Sequence, residues 1–280
     1  MLCSAMSFAT MGAFAHGLRD RASWEVIAFA RSVVVLVLSG GMLVLYRVKP
    51  RIWRPADLWA RSIAGSLSML CVFFSLTRLP VSVVVTLMNL APIWVSAVTW
   101  VLLPKTRSKG VWVAVAAGIG GVVLVQQPQL EAGNMAVLAP VASSVLLAIV
   151  MLALHRSQGV DARAVVFHFA LIAFLVSGAV LGYAATRRTP VFSTDAITVG
   201  MLLATGVAAT SGQFFLTAAF ASESPAKVSV VGLTQVGMAM VYDVSIWGHD
   251  FGLLSVLGTV LIVAPTGWVL YTERQTLVEE

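Results

Sequence analysis

Sorted by polarity alone, the chain is ten apolar stretches of membrane-crossing length joined by short polar connections, with almost nothing left over. The stretches fall near 1–18, 26–46, 58–77, 81–103, 109–127, 134–154, 163–185, 196–220, 226–247 and 251–271. A helix needs about 20 mostly apolar residues to cross ~30 Å of hydrocarbon, and each stretch comes close to that length. Apolar residues run continuously rather than alternating, which excludes a transmembrane β-barrel. The predicted fold class is therefore an all-α integral membrane protein of ten transmembrane helices, each satisfying its own backbone hydrogen bonds.

Composition points the same way. Hydrophobic residues make up 59% of the 280 and charged residues only 11%, and the mean hydropathy is +0.93. No water-soluble surface of this size could be built from so few charges. The first stretch has neither a basic leader nor a small-residue cleavage site and reads as a retained helix. Cys3 and Cys71 both lie inside apolar stretches, where a thiol behaves as a small hydrophobe, so no disulfide, metal site or cofactor is expected.

The basic residues set an orientation. Arg47, Lys49, Arg51, Arg54 and Arg61 follow the second stretch, Lys105, Arg107 and Lys109 the fourth, and Arg156 and Arg163 the sixth. With Lys227 and Arg274 that side holds twelve, against five on the other (Arg19, Arg21, Arg78, Arg187 and Arg188), while Arg31 lies within a stretch. The positive-inside rule then places both termini, and a tail at 272–280, in the cytoplasm. The net charge of +6 reports this asymmetry; scattered loop charges form no basic face for a nucleic acid.

Shifted by 145 positions, residues 71–94 fall on 216–239 without a gap, so that Pro80 lands on Pro225, Ser82 on Lys227 and Asn89 on Thr234. Both prolines follow a short polar connection and open a helix, where the missing N–H is harmless. This suggests two units, 1–127 and 134–271. Five spans being an odd number, the second unit enters the membrane in the opposite sense, an arrangement that usually places a binding site between the halves near mid-membrane.

Several local patterns then combine: Phe29-Ala30-Arg31 opening the second stretch, Phe73-Phe74-Ser75-Leu76-Thr77-Arg78-Leu79-Pro80 with Ala91-Pro92 beyond it, and Gly118-Ile119-Gly120-Gly121-Val122 in the fifth. In order and spacing they resemble the EamA type of the drug/metabolite transporter superfamily, ten-helix carriers built from two five-helix repeats. The resemblance spans essentially the whole chain. It implies a central cavity lined by stretches one, three, four, six, eight and nine, and a structural or gating role for Arg31. Relatives often close the fourth helix of each repeat with Leu-Gly-Glu; here Leu103-Pro104-Lys105 and Trp247-Gly248-His249 stand instead, so no role of those glutamates carries over.

Candidate binding groups come from helical spacing. Ser82, Thr86, Asn89 and Ser96 share an arc of about 80° in the fourth stretch, and Thr210, Gln213 and Thr217 one of about 60° in the eighth. In the ninth, Lys227, Thr234, Gln235, Met238 and Tyr242 share about 100°. Polar stripes should face other helices or a wet cavity rather than lipid, although interhelical hydrogen bonding alone would also account for them. Thr86, Asn89, Gln213, Thr234 and Gln235 are the expected substrate contacts. Trp94 joins them as a ring that either stacks on a solute or fills space. Pro92 is expected to bend its helix and act with Arg31 as a gating or structural element. Arg31 should snorkel outward or pair with Glu25 or Asp20, and Asp243 should be solvated or capped near an interface. His16 and His168 are most simply hydrogen-bonded core residues, and glycines and alanines of the fifth stretch should pack against Gly252 and Gly258 of the tenth.

No HExxH, GxSxG, Walker or CxxC motif is present. The expectation is a non-enzymatic secondary transporter of the bacterial inner membrane that moves amino-acid-like or amphipathic metabolites, with export as the expected direction, by alternating access. Its partners would be the solute and the lipid bilayer, as a monomer or homodimer. Two alternatives stand beside it: uptake of a vitamin-like compound, and an intramembrane enzyme in which Ser143 or Ser144 meets His168.

Overall fold

A computed structural model of the protein describes residues 1–50, 56–91, 93–95, 113, 116–117, 120–121, 124, 135–157, 159–222, 228 and 231–276. Nine α-helices of four residues or more are found among these: α1 Leu2–Gly17, α2 Trp24–Leu45, α3 Ala56–Leu76, α4 Val81–Met88, α5 Leu138–Arg156, α6 Ala162–Arg187, α7 Ala196–Ser222, α8 Thr234–Trp247 and α9 Leu253–Thr276. The fold is all-α. Four helices, α2, α3, α6 and α7, are long and apolar enough to cross a membrane. Most of the fifth stretch, with its small-residue pattern, lies outside the described residues.

Local chemistry explains several boundaries. Asp161 accepts the Arg163 N–H at 2.8 Å and so caps the start of α6. Gly248 ends α8 in the left-handed region at φ 62°, and the His249 N–H returns to the Asp243 carbonyl, a closure that favours glycine. Asn89 and Leu90 form a turn after α4, before helix resumes at Ala91 and Ile93–Val95. Pro92, expected to bend this helix, lies outside the described residues.

The most extensive helix contacts all join the first half of the chain to the second: α3 packs on α5 and α6, α1 on α7 and α8, α2 on α6 and α7, and α4 on α5 and α8. Glycine lets α7 approach. A Cβ at Gly206 would lie 2.4 Å from the Val34 Cβ, and one at Gly212 would lie 2.9 Å from the Phe8 ring. Polarity is turned inside out. Thr205, Thr210 and Gln213 of α7 are buried while Leu203, Val207 and Phe215 of the same helix face outward, as a hydrocarbon solvent demands.

One placement differs from the sequence reading. Arg61, counted above among loop charges, sits in the second turn of α3 and is 2% exposed. Helix α3 begins at Ala56, so the connection is shorter than the charge pattern suggested, and Arg61 turns toward the interior.

Candidate functional site

A cavity of ≈ 190 Å³ lies between the helices, and α1 through α8 all contribute to its wall. Among the described residues its polar members are Arg31, Arg61, Ser68, Asn89, Gln213 and Gln235, and the others are aliphatic, aromatic, methionine or glycine. The volume exceeds the ~150 Å³ of an apolar protein cavity that accepts benzene, so a ring-sized solute fits.

Arg61 is the best-anchored polar group. Its Nη2 donates to Gln213 Oε1 at 2.8 Å, and its guanidinium carbon lies 4.3 Å from the centre of the Phe169 ring. Arg31, equally buried, stands 5.3 Å from the same ring and donates from Nη1 to the Met69 sulfur at 3.0 Å. One aromatic face thus serves two cations, a cation–π arrangement that strengthens as water is excluded. Arg31 pairs with neither expected acid. Glu25 takes Arg188 at 2.7 Å, and Asp20 takes Arg19 at 3.3 Å.

The expected contacts divide. Asn89, Gln213 and Gln235 reach the wall together with Arg31. Asn89 also donates its amide to the Val85 carbonyl at 2.8 Å, steadying the end of α4. Thr86, Trp94 and Thr234 are not in the wall. Thr86 is buried; Trp94 packs with Leu87, Leu90 and Ile93 and donates to Ser144 Oγ at 2.9 Å; Thr234 is exposed and bonds the Val231 carbonyl. The hydroxyls of α7 return to their own helix, Thr210 to Gly206 and Thr217 to Gln213. Serine and threonine satisfy themselves locally in this way, whereas a glutamine amide reaches a neighbour.

Above the cavity, the end of the bundle holding the α1–α2 and α6–α7 connections is tied across the halves. Ala22 bridges Phe192, the Ser23 N–H donates to Val191 O, the Ser193 N–H to Arg21 O, and Arg21 pairs with Asp195 at 3.1 Å. Asp243 of α8 is fully buried and accepts the Val81 and Ser82 N–H groups at 3.1 and 2.7 Å. It caps α4, so the solvated alternative for Asp243 does not hold. His16 is likewise occupied, Nδ1 donating to the Leu76 carbonyl at 2.6 Å and Nε2 accepting from Arg19 at 2.8 Å. His168 meets Ser62 at 2.7 Å, while Ser143 bonds Ser68 and Ser144 bonds Trp94, so the histidine's serine partner is Ser62 on α3 rather than the expected Ser143 or Ser144.

An apolar bundle around a cavity with a few convergent polar groups fits a membrane transporter. Residues 1–126 match the EamA-like transporter family. An uncharacterised transporter of Helicobacter pylori is 23% identical and aligns over 94% of this chain and 90% of its own length. The pseudopaline exporter of Pseudomonas aeruginosa is 24% identical over 74% of this chain and 72% of its own. A crystal structure superposes with a TM-score of 0.63 at 14% identity, covering 96% of this chain and 97% of the other, which speaks to the fold alone. Residues 1–126 thus carry an EamA-like transporter domain, and the protein is a multi-pass membrane transporter and not an enzyme.

Proposed function

We propose that the protein exports small organic metabolites across the bacterial inner membrane by alternating access, with 1–127 and 134–271 as two inverted five-helix repeats and both termini in the cytoplasm. The observation that carries this reading is the central cavity, whose polar wall is assembled from both halves.

The inverted repeat has further support in the contact pattern. Exchanging α1–α4 for α5–α8 maps α3–α5 onto α1–α7, α2–α7 onto α3–α6, and α1–α8 onto α4–α5, while α2–α6 and α4–α8 map onto themselves; all of these pairs are in contact. Two halves related by a pseudo-dyad in the membrane plane would pack in this way. The helix breaks support it too. At the 145-residue offset Met88, where α4 stops, corresponds to Leu233, the turn residue before α8. Broken helices at equivalent depth, facing a cavity, are a common device for binding a solute near mid-membrane.

Orientation rests on the basic residues. With Arg61 removed from the loops, eleven remain on the one side against five, and the asymmetry still favours cytoplasmic termini. The cross-half ties then close the periplasmic end, and rocking of the halves would open it. Export follows the name of the Pseudomonas relative. The test is flux in everted inner-membrane vesicles from cells with and without the protein, screened over radiolabelled metabolites. Saturable accumulation that needs the protein is expected; no saturable flux in either orientation overturns the reading.

A further inference from the structure

We infer that the cavity selects a small organic anion, a carboxylate attached to an apolar or aromatic body, and that Arg61, Arg31 and Gln213 receive the carboxylate. This rests on the transporter reading above and narrows its substrate.

The argument begins with charge. Arginine stays protonated at any ordinary pH, so Arg31 and Arg61 bring two positive charges into the interior, each 2% exposed. Such charges are normally answered by a carboxylate, because an unpaired buried ion is heavily penalised. Here the ion pairs among the described residues are Arg19–Asp20, Arg21–Asp195, Arg163–Asp161 and Arg188–Glu25; none includes Arg31 or Arg61. Their partners instead are a thioether sulfur, an aromatic face and a neutral amide oxygen. Nε of Arg31, and Nε and Nη1 of Arg61, are buried with no hydrogen-bond partner. Guanidinium donors form a planar fork that fits a carboxylate, and these three donor atoms belong to two residues of the cavity wall.

Gln213 sharpens the geometry. Its Oε1 is committed to Arg61, so the amide must turn its NH₂ the other way, adding neutral donors beside the cations. The rest of the wall fixes the solute's other end. Phe73, Val72, Met11, Leu147 and Val150 offer no acid for an ammonium group, so cationic and zwitterionic solutes would leave a charge unpaired. A free inorganic anion would leave the apolar wall unused. The small volume limits the body to about one ring or a short chain.

The experiment uses three matched sets: benzoate, benzamide and benzylamine; phenylacetate, phenylacetamide and phenethylamine; hexanoate, hexanamide and hexylamine. Thermal shift of the purified full chain in detergent reads binding, and counterflow in proteoliposomes reads transport. A carboxylate is expected to bind about 10- to 100-fold tighter than its amide, the span of a charge-assisted hydrogen bond, and the amine not at all. Arg61→Gln and Arg31→Gln should each reduce the carboxylate preference while the unliganded melting temperature holds or rises, a result that a purely structural arginine would not give; Arg61→Lys should restore part of the preference. Equal or tighter binding of amides or amines, no shift with any carboxylate, or an unchanged preference in both glutamine variants overturns the inference. Carboxylate binding without flux would leave the anion site standing and remove the transporter reading. Saturable flux confined to neutral or cationic solutes would do the reverse.

Discussion

The tied end of the bundle and the cavity beneath it treat buried charge in opposite ways. At the tied end, Glu25 of the first half receives Arg188 of the second, and Asp243 of the second half receives two backbone N–H groups of the first. A few turns deeper, Arg31 and Arg61 have no ion pair among the described residues, although an unpartnered buried atom occurs in both places, Glu25 Oε2 at the one and guanidinium nitrogens at the other. The chain has only twelve acids, yet two among the described residues are buried where they bind the halves together, and neither is spent on the cavity arginines. The difference separates charge that ties the halves from charge that, on the inference above, receives a substrate carboxylate.

Removing Asp243 should do the most damage. Asp243→Ala strands two α4 N–H groups and severs a cross-half tie, a loss of about 2–4 kcal/mol if each charge-assisted bond contributes as usual. Thermal unfolding in detergent should show it, with Asp243→Asn, which keeps one acceptor, losing less. An unaltered melting temperature in the alanine variant would mean that the tie does not hold the end closed. Next in size is Arg188→Ala, which leaves the buried Glu25 carboxylate without its cation. About 1–3 kcal/mol should be lost, and adding Glu25→Gln to the same chain should recover most of it. Failure of the second change to rescue the first would show that Arg188 acts through something other than Glu25.

The sequence disclosed the two regions unequally, for physical reasons. Helix positions were legible because lipid imposes one rule on every outward residue: α2, α6 and α7 start and end within two residues of the apolar stretches that announced them. Of the cavity wall, the amides Asn89, Gln213 and Gln235 were legible, since a mid-membrane amide must find a partner. Arg61 was not, because it stands seven residues beyond Arg54 at the edge of its stretch and looked like one more loop charge. A helical projection would have found it: Arg61 shares an arc of about 60° with Gly65, Ser68 and Val72, and all four line the cavity. At Trp94 the sequence leaves a solute platform and filler both open. Its indole N–H bonds Ser144 on α5, a tertiary pairing that no local pattern encodes.

The sign of the response, more than its size, separates the regions at Arg61. Arg61→Met keeps the side chain's length and removes its charge; replacing buried ionic groups with apolar ones of similar volume is often neutral or stabilising by ~1–4 kcal/mol. The unliganded variant should therefore melt at or above the wild-type temperature, where Arg188→Ala melts below it. Transport should be lost at the same time. A variant that unfolds more easily would place Arg61 with the structural charges and dissolve the contrast.

The smallest effect belongs to the periphery of the tied end, at Asp195. Hydrogen bonds from Ser193 and from Thr198 hold its carboxyl well below the ordinary value of 3.8, with the Arg21 guanidinium adding to them. The folded state therefore binds this proton less tightly than the unfolded chain. By linkage its stabilising contribution is complete above about pH 4–5, the unfolded range. It is lost as the pH falls below 3.8 toward the depressed folded value. Asp195→Asn keeps an acceptor for Ser193 and Thr198 but cannot titrate. Its melting temperature should lie slightly below wild type at pH 7, and the two should converge as the pH falls through 3. Parallel curves would mean that Asp195 holds the α7 start by hydrogen bonding alone, leaving Glu25 and Asp243 as the acids that tie the halves.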